Sequence, residues 1–436
     1  MFSARNRELL ALVPAAVLVT AGFAAIFIQS DNRLSGVSLT YGGAFLVLCL
    51  VGHIVVRRAL PNADPYLFPL AAALASIGIV MIYRINPTLA RQQALWLVVG
   101  LALFAITIVV YRGGRYLQLE NYRYLIAIVG VGSMLLPRLP GIGGQVNGAY
   151  LAVHIGSISF QPSEFGKIAI IIFLASYLRD NRQVLVTAGR RILGVTIPPM
   201  KHFGPLLLVW GSAMAMLLVT REIGTSLMFF AAFLALLYVA TGRLSFPVVG
   251  LLLFAAGAYL LGTHVAHVHD RVTAWQHPFD PKLYPNIAYQ LANGLFAQAD
   301  GGLLGVGFGQ SLISDGSVAL IPVAQSDSIY AVITDEIGLT GAVALLVTYL
   351  LFIARGLKVA TLARDSFSKL LATGLAFVIA VQVFVIVGGV TALIPLTGVT
   401  LPFVAYGGSS VVMNFVLLAL LLLVSDRARD LQSSAR

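Results

Sequence analysis

The chain has 436 residues, of which 59% are hydrophobic and 10% are charged, and its mean hydropathy is +0.92. These values exclude an ordinary water-soluble domain and predict a protein whose main solvent is lipid. The formal net charge of +11 does not indicate nucleic acid, because basic residues beside apolar segments are what the positive-inside rule produces. The single cysteine, Cys49, excludes an internal disulfide and a cysteine-based metal cage.

Apolar stretches long enough to cross a bilayer of ~30 Å recur along the whole chain and predict about twelve membrane helices. The first run follows Arg5 and Arg7 like a signal peptide, but GFAAIFIQSDNR lacks a small-residue cleavage site, so we interpret it as a retained helix. The predicted segments are 10–28, 39–55, 66–82, 94–110, 124–136, 163–178, 203–219, 223–240, 246–261, 328–354, 370–390 and 411–424.

The distribution of the basic residues predicts which side of the membrane each loop lies on. If the N-terminus is inside, about twenty of the 28 Lys and Arg residues lie on one side of the membrane, and both termini are cytoplasmic. Two outer loops, 138–162 and 264–327, are then long, and long ordered loops are usually functional. The basic residues that fall on the outer side need another explanation: Arg33, Arg84, Arg91, Arg138, Lys167, Arg221, Arg271 and Lys282.

The run AWQHPFDPKLYPNIAYQ in the second long loop contains Asp280 before Pro281, with Tyr284, Tyr289 and Gln290 close behind. An Asp-Pro pair often only makes a turn. The alternative is a carboxylate that acts as a general base on a hydroxyl at the rim of a lipid-facing cleft. The spacing leaves both interpretations open.

The same loop ends in SDSIYAVITDEIG, with Asp327 at a helix start and Asp335 and Glu336 about two turns further on. A carboxylate at a helix start is commonly an N-cap. Acids inside an apolar span are costly, however, and are usually paired or functional. Asp335 and Glu336 are therefore either structural partners of a cation or part of a site.

A helix that begins at FQPSEFGK places Glu164 and Lys167 on one face. They form either a structural ion pair or a site in which Lys167 attracts an anionic headgroup and Glu164 orients it. Arg221 and Glu222 offer a similar pair. We discount a metal site at the histidines near 264–269 and a nucleotide loop in GGLLGVGFGQ, since neither has the required context.

Six motifs in order resemble the SEDS family (shape, elongation, division and sporulation), whose members include RodA and FtsW. They are FQPSE with Lys167, REIGTSL, WQHPFDP ending in YQ, GGLLGVGFG, SDSIYAVITDEIG and PLTGVTLPFVAYGGSS. Residues 61–430 would then be the glycosyltransferase core of about ten helices, and residues 1–60 two additional N-terminal helices similar to those of actinobacterial RodA-type members. The resemblance favours the elongation-type branch over the division-type one.

The resemblance implies a peptidoglycan glycosyltransferase that polymerises lipid II on the outer face of the bacterial cytoplasmic membrane, with inversion to a β-1,4 link. It implies that Asp280 is the general base and that Lys167, then Arg221 or Arg271, stabilises the pyrophosphate leaving group. A divalent cation, Mg²⁺ or Mn²⁺, would serve the same purpose, and no organic cofactor is expected. Cleft residues by motif are Gln161, Glu164, Tyr289, Gln290 and Asp327.

The usual partner of the family is a class B penicillin-binding protein, a transpeptidase with one membrane helix. Two other functions remain open from the sequence. About twelve helices with charges at membrane depth also suit a lipid II flippase or other transporter, and a non-catalytic scaffold would leave Asp280 dispensable.

Overall fold

The fold is known from a computed structural model that describes residues 3–31, 36–146, 149–156, 158–187, 190–192, 195–197, 200–220, 223–315 and 318–433. Most of these residues are helical. The α-helices are α1 (Ala4–Ala11), α2 (Val13–Asp31), α3 (Gly36–Ala59), α4 (Leu67–Ile85), α5 (Pro87–Tyr111), α6 (Arg123–Ser133), α7 (Pro162–Thr187), α8 (Met200–Thr220), α9 (Ile223–Thr241), α10 (Ser245–His264), α11 (Ala266–Gln276), α12 (Tyr289–Gly301), α13 (Ile329–Leu362), α14 (Ser366–Val390) and α15 (Gly408–Ser433).

Short strands form three small antiparallel sheets between these helices. The strands are β1 (Gly143–Val146), β2 (Ala149–Ile155), β3 (Ile158–Phe160), β4 (Arg190–Ile192), β5 (Val195–Ile197), β6 (Ser314–Asp315) and β7 (Val318–Ala319). The first three form one sheet in the order β1-β2-β3, and the other four form two hairpins. None of the strands has the length of a membrane strand, so the spanning architecture is helical.

The structure confirms that the chain has the class predicted from the sequence, a helical membrane protein. Each of the twelve predicted segments contains a helix, and nine helices within the described ranges are long and apolar enough to cross a membrane. The other three predicted segments contain α6, α7 and α8. The chain is a polytopic all-α membrane protein whose central helices α7, α14 and α15 pack against one another and are buried along most of their length.

The two long loops are more structured than the hydropathy pattern indicates. The first carries the β1–β3 sheet, and the second carries α11, α12 and the β6–β7 hairpin. Both α11 and α12 are short and contain polar residues, with 11 and 13 residues respectively. A search for spans of about 20 apolar residues therefore passes over them.

At one end of the bundle, the N-terminal helices and the core each carry buried charges, and Arg5 joins the two parts by donating a hydrogen bond to Ala63 O. Glu8 is fully buried and pairs with Arg5, and its Oε1 lies 2.8 Å from His53 Nδ1. Asp64 pairs with Arg429 and lies 3.5 Å from Arg355. Buried charges of this kind are costly unless paired, so these contacts stabilise one arrangement of the two segments.

At the other end, α13 is broken at Gly338, whose φ of 72° and ψ of −174° interrupt the helix. The glycine-rich run 301–309 lies against the break. The amides of Val306 and Gly307 donate to the carbonyls of Asp335 and Glu336 at 2.9 and 3.2 Å. A Cβ on Gly338 would lie 2.4 Å from the Gly305 nitrogen. Glycine is needed here because the two backbones are in contact and φ is positive.

Candidate active site

The loop of residues 391–407, between α14 and α15, forms hydrogen bonds with residues from several of the predicted site motifs. Gln382 Nε2 donates to Thr400 O at 2.7 Å, and Tyr406 N donates to Gln325 O at 2.8 Å. The loop contains the PLTGVTLPFVAYGG motif and is almost free of regular structure. Its backbone carbonyls are therefore satisfied by side chains from neighbouring helices.

Lys167 lies in a fully polar pocket at one end of this loop. Its Nζ is 2.6 Å from Glu164 Oε2, 3.1 Å from Gln382 Oε1 and 3.3 Å from Asn414 Oδ1. The lysine is 1% exposed and the glutamate 5% exposed. The predicted pairing of Glu164 with Lys167 is thus present. An ammonium has three N–H donors, and here all three have acceptors within the protein.

Gln161 lies beside this cluster. Its backbone amide donates to Ser409 Oγ at 2.8 Å, which joins the start of α7 to the start of α15. The side chain of Gln161 is partly exposed. Gln161 therefore marks the boundary between the buried lysine pocket and the surface.

Arg271 and Asp327 meet at the other end of the 391–407 loop. Arg271 Nη1 donates to Leu396 O at 3.0 Å, and a Cβ on Gly398 would lie 3.4 Å from Asp327 Oδ2 and 3.7 Å from Arg271 Nη2. Burial raises the pKa of Asp327 to about 6, and burial lowers the pKa of Arg271. The structure thus brings together a predicted cation and a predicted carboxylate that are far apart in sequence.

Asp280 lies in a turn just after α11. Its Oδ1 accepts the Lys282 N–H at 2.8 Å, and its carbonyl accepts the Tyr284 N–H at 2.8 Å. The side chain is partly exposed, and among the described residues it forms no ion pair. The turn is anchored through Trp275, whose Nε1 donates to Ala392 O at 2.8 Å. Asp280 makes the expected Asp-Pro turn, and its carboxylate is partly exposed in a segment that Trp275 joins to the 391–407 loop.

The remaining predicted residues are distributed around this arrangement. Gln290 Nε2 donates to Ser328 Oγ at 3.2 Å, next to Asp327. The Tyr289 hydroxyl instead donates to Ala319 O at 3.1 Å, in the β6–β7 hairpin. Arg221, with its neighbour Glu222, lies outside the described residues.

Asp335 and Glu336 are both paired. Glu336 Oε1 is 3.0 Å from Arg84 Nε, and its Oε2 accepts the Gly309 N–H at 3.0 Å. Asp335 accepts a hydrogen bond from the Ser311 hydroxyl. Arg84 also donates to the carbonyls of Gly309 and Ser311, both at 2.8 Å. Arg84, which the positive-inside pattern leaves unexplained, therefore neutralises a carboxylate that stabilises the glycine-rich loop.

Sequence reasoning missed four residues that complete the site: Trp275, Gln382, Asn414 and Gln93. Gln93 Nε2 donates to Ala405 O at 3.3 Å and its Oε1 accepts the Gly407 N–H at 3.3 Å, so it also bonds to the 391–407 loop. Gln382 and Asn414 are fully buried polar side chains within apolar helices. A polar side chain in such a helix is usually bonded to a partner and often functional, and that signal would have pointed to them. Trp275 carries no comparable signal.

No group of three His, Cys, Asp or Glu side chains that would hold a metal ion occurs among the residues for which the structure gives a description. The two histidines that most resemble metal ligands in the sequence, His264 and His269, contact backbone carbonyls of α10 instead. His264 Nδ1 is 3.0 Å from Leu260 O, and His269 Nδ1 is 3.0 Å from Gly262 O. A divalent cation would thus find no set of three such side chains in the part of the chain that the structure describes.

The comparisons with known proteins agree with the family resemblance seen in the sequence motifs. The family model for FtsW, RodA and SpoVE, described as a cell cycle protein, matches residues 66–430. The peptidoglycan glycosyltransferase RodA of Mycobacterium tuberculosis is 40% identical over 441 residues, which cover 98% of this chain and 91% of the relative. Stage V sporulation protein E of Bacillus subtilis is 30% identical over 380 residues, covering 84% and 98% of the two chains.

Two solved structures share the fold. A chain of a peptidoglycan synthase complex described as coordinating polymerization and crosslinking matches with a TM-score of 0.66 and 24% identity, over 84% of this chain and 98% of its own. The rod shape determining protein RodA of Thermus thermophilus matches with a TM-score of 0.53 and 24% identity, over 84% and 97%.

Proposed function

The chain belongs to the FtsW/RodA/SpoVE family, and from that premise we propose that it is a peptidoglycan glycosyltransferase that polymerises lipid II for cell elongation. The observation that carries the proposal is the 40% identity to a named peptidoglycan glycosyltransferase over 98% of the chain. The site supports it chemically. A carboxylate and an arginine on one short stretch of chain, Arg271 to Asp280, suit the transfer of a sugar from a pyrophosphate to a hydroxyl.

In the proposed reaction Asp280 is the general base. Its Oδ1 is held by the Lys282 amide, and we assign Oδ2 to the 4-hydroxyl of the acceptor GlcNAc. The carboxylate takes the hydroxyl proton as the oxygen attacks the anomeric carbon of the donor MurNAc. The bond from that carbon to the pyrophosphate breaks, the electron pair leaves with undecaprenyl pyrophosphate, and the new glycosidic link is β-1,4 with inverted configuration.

Arg271 is the cation that we assign to the leaving pyrophosphate. Its guanidinium has five N–H donors, of which one bonds to Leu396 O, and Asp327 lies beside it to keep it oriented. Lys167, the first candidate from sequence, has its three donors engaged by Glu164, Gln382 and Asn414. We therefore propose that Lys167 organises the end of the 391–407 loop, and that Arg221 or Arg271 contacts the phosphates.

A divalent cation that stimulates the reaction would arrive with the pyrophosphate as part of the substrate, because a pyrophosphate supplies oxygen ligands that Mg²⁺ prefers. We propose that both termini are cytoplasmic, which puts Asp280 on the outer face together with the sugars. We also propose a class B penicillin-binding protein as the partner. Support for that comes from the structural neighbour in a complex that coordinates polymerization and crosslinking.

The experiment is glycan polymerisation by the purified protein in detergent with lipid II and Mg²⁺, alone and with its cognate penicillin-binding protein. Wild type is compared with Asp280→Ala and with the matched control Asp270→Ala, which removes an exposed carboxylate ten positions earlier. We expect glycan ladders from wild type and Asp270→Ala, and a loss of about 100-fold or more for Asp280→Ala, the lower end of general-base effects.

Other results would point elsewhere. Normal polymerisation by Asp280→Ala would remove Asp280 from the mechanism while leaving the enzyme assignment intact. No product from wild type with its partner present and lipid II binding intact would instead favour the flippase or the scaffold.

A further inference from the structure

A cavity lies beside the Asp280 turn, between α12, the glycine-rich run and the first part of α13. Its volume is about 430 Å³, within the ~300–1,000 Å³ typical of small-molecule sites. The lining residues that matter here are Asn293, Phe296, Asp300, Gln310, Ser311 and Asp335. The mechanism above uses none of them.

The lining has the chemistry of a saccharide site. Sugar hydroxyls are hydrogen-bond donors and acceptors, and they match carboxylates, side-chain amides and a serine hydroxyl. The apolar faces of a sugar ring pack on aromatic side chains, and Phe296 is 46% exposed at the cavity. Asp300 and Asp335 make the lining anionic, so the pyrophosphate of the substrate would be repelled from it.

Two contacts link this cavity to the Asp280 turn. The ring of Phe296 packs against that of Phe279, the residue before Asp280, with centroids 5.3 Å apart. The hydroxyl of Tyr284, whose amide bonds to Asp280 O, donates to Asn293 Oδ1 at 3.2 Å. A sugar strand that reacts at Asp280 therefore has an adjoining cavity, lined by both polar and apolar side chains, into which its next units extend.

We infer that this cavity is a glycan subsite that holds sugar units of the growing strand next to the reaction centre. The inference rests on the proposed function. An incoming lipid II brings one disaccharide and needs only the site at Asp280, whereas a polymer needs a second binding place beyond it. A subsite of this kind keeps the strand bound between additions of sugar units. It therefore affects the length of the product more than the rate at which the first bond forms.

The test separates sugar binding from catalysis. A peptide-free, lipid-free tetrasaccharide of alternating GlcNAc and MurNAc is titrated into the full-length protein in detergent by calorimetry, and glycan length is measured in parallel. The variants are Phe296→Ala and Asp300→Asn. The controls are Phe384→Ala, which truncates a phenylalanine of similar exposure, 55%, on α14, and Asp270→Asn. Asp280→Ala tests binding without turnover.

We expect wild type, Asp280→Ala and both controls to bind the tetrasaccharide alike. Phe296→Ala and Asp300→Asn should each weaken binding about tenfold and shorten the glycan, while the rate of first bond formation changes less than threefold. Both variants should unfold at the wild-type temperature, because Phe296 and Asp300 are exposed.

Unchanged affinity and unchanged glycan length in an active enzyme would overturn the subsite while leaving the proposed function standing. A change confined to the Mg²⁺ dependence of Asp300→Asn would overturn it in favour of a cation site. Failure of wild type to polymerise would count against the proposed function itself. Tetrasaccharide binding that depends on Phe296 would, even then, support the subsite.

Discussion

Removing the charge of Lys167 should destabilise the protein more than removing the charge of a surface cation, because it leaves a buried carboxylate without its partner. Lys167→Met keeps the apolar stem and leaves Glu164, 5% exposed, without its partner at 2.6 Å. Breaking a buried ion pair from one side costs about 3–5 kcal/mol. The oxygens of Gln382 and Asn414 also lose a donor.

The second variant in the cycle is Lys167→Met with Glu164→Gln. It removes both charges, so the unpaired carboxylate is gone, and we expect the loss to fall to about 1–2 kcal/mol, a recovery of roughly 2–3 kcal/mol relative to Lys167→Met. The control is Arg179→Met. Arg179 pairs with Glu120, but its side chain is 35% exposed, and such pairs contribute about 0–1 kcal/mol.

Thermal unfolding can be followed with a thiol-reactive dye, because Cys49 is the one cysteine of the chain and is buried. We expect Lys167→Met to lower the unfolding temperature by about 3–5 °C and Arg179→Met by no more than about 1 °C. If Lys167→Met resembles Arg179→Met, or if adding Glu164→Gln restores nothing, the claim that this pair is desolvated and mutually dependent is wrong.

The other predictions concern pH, the helix break and the cation. The folded-state pKa of Asp327, about 6, lies above its ordinary value of 3.8, so its stabilising contribution is full below about pH 4 and is lost as pH rises through 6. Asp327→Asn, which mimics the protonated form, should therefore match wild type near pH 4 and unfold at a higher temperature than wild type at pH 7, and equal differences at both pH values would refute this. Gly338→Ala should destabilise the protein by at least about 1–3 kcal/mol, since φ is 72° and the added Cβ meets the Gly305 nitrogen. Gly132→Ala, a helical site with nothing within 4 Å, is its control, and equal unfolding temperatures for the two would contradict the tight approach. Chelation with EDTA should lower polymerisation and added Mg²⁺ should restore it, whereas full activity in EDTA would remove the divalent cation from the proposal.

Residue pairs that are close in sequence were the part of the site that could be predicted. Glu164 and Lys167 are three residues apart on one helix, so helical geometry alone predicts their contact, and they are 2.6 Å apart. The cost of acids in an apolar span likewise predicted that Asp335 and Glu336 would be paired or functional. Their partners, Ser311 and Arg84, could not be named, because local periodicity says nothing about which segments meet.

The sequence by itself determined the class, a polytopic all-α membrane protein, and the approximate positions of most of the membrane helices. Every span must satisfy its own backbone hydrogen bonds in lipid and be about 20 apolar residues long, so hydropathy alone reveals most of them. The separation of residues 1–60 from a core at 61–430 stays a prediction. The division is consistent with the family match at 66–430, but a hydrogen bond from Arg5 to the carbonyl of Ala63 joins the two parts.

Only the tertiary structure decided how the site is assembled. Lys167 bonds to Gln382 and Asn414, which lie 215 and 247 positions later, and Arg271 reaches the carbonyl of Leu396, 125 positions away. The 391–407 loop has backbone carbonyls that its own irregular conformation leaves unsatisfied, so Arg271 bonds to one of them and Gln382, the partner of Lys167, bonds to another. That requirement exists only once the helices are packed, so no local pattern in the chain encodes it.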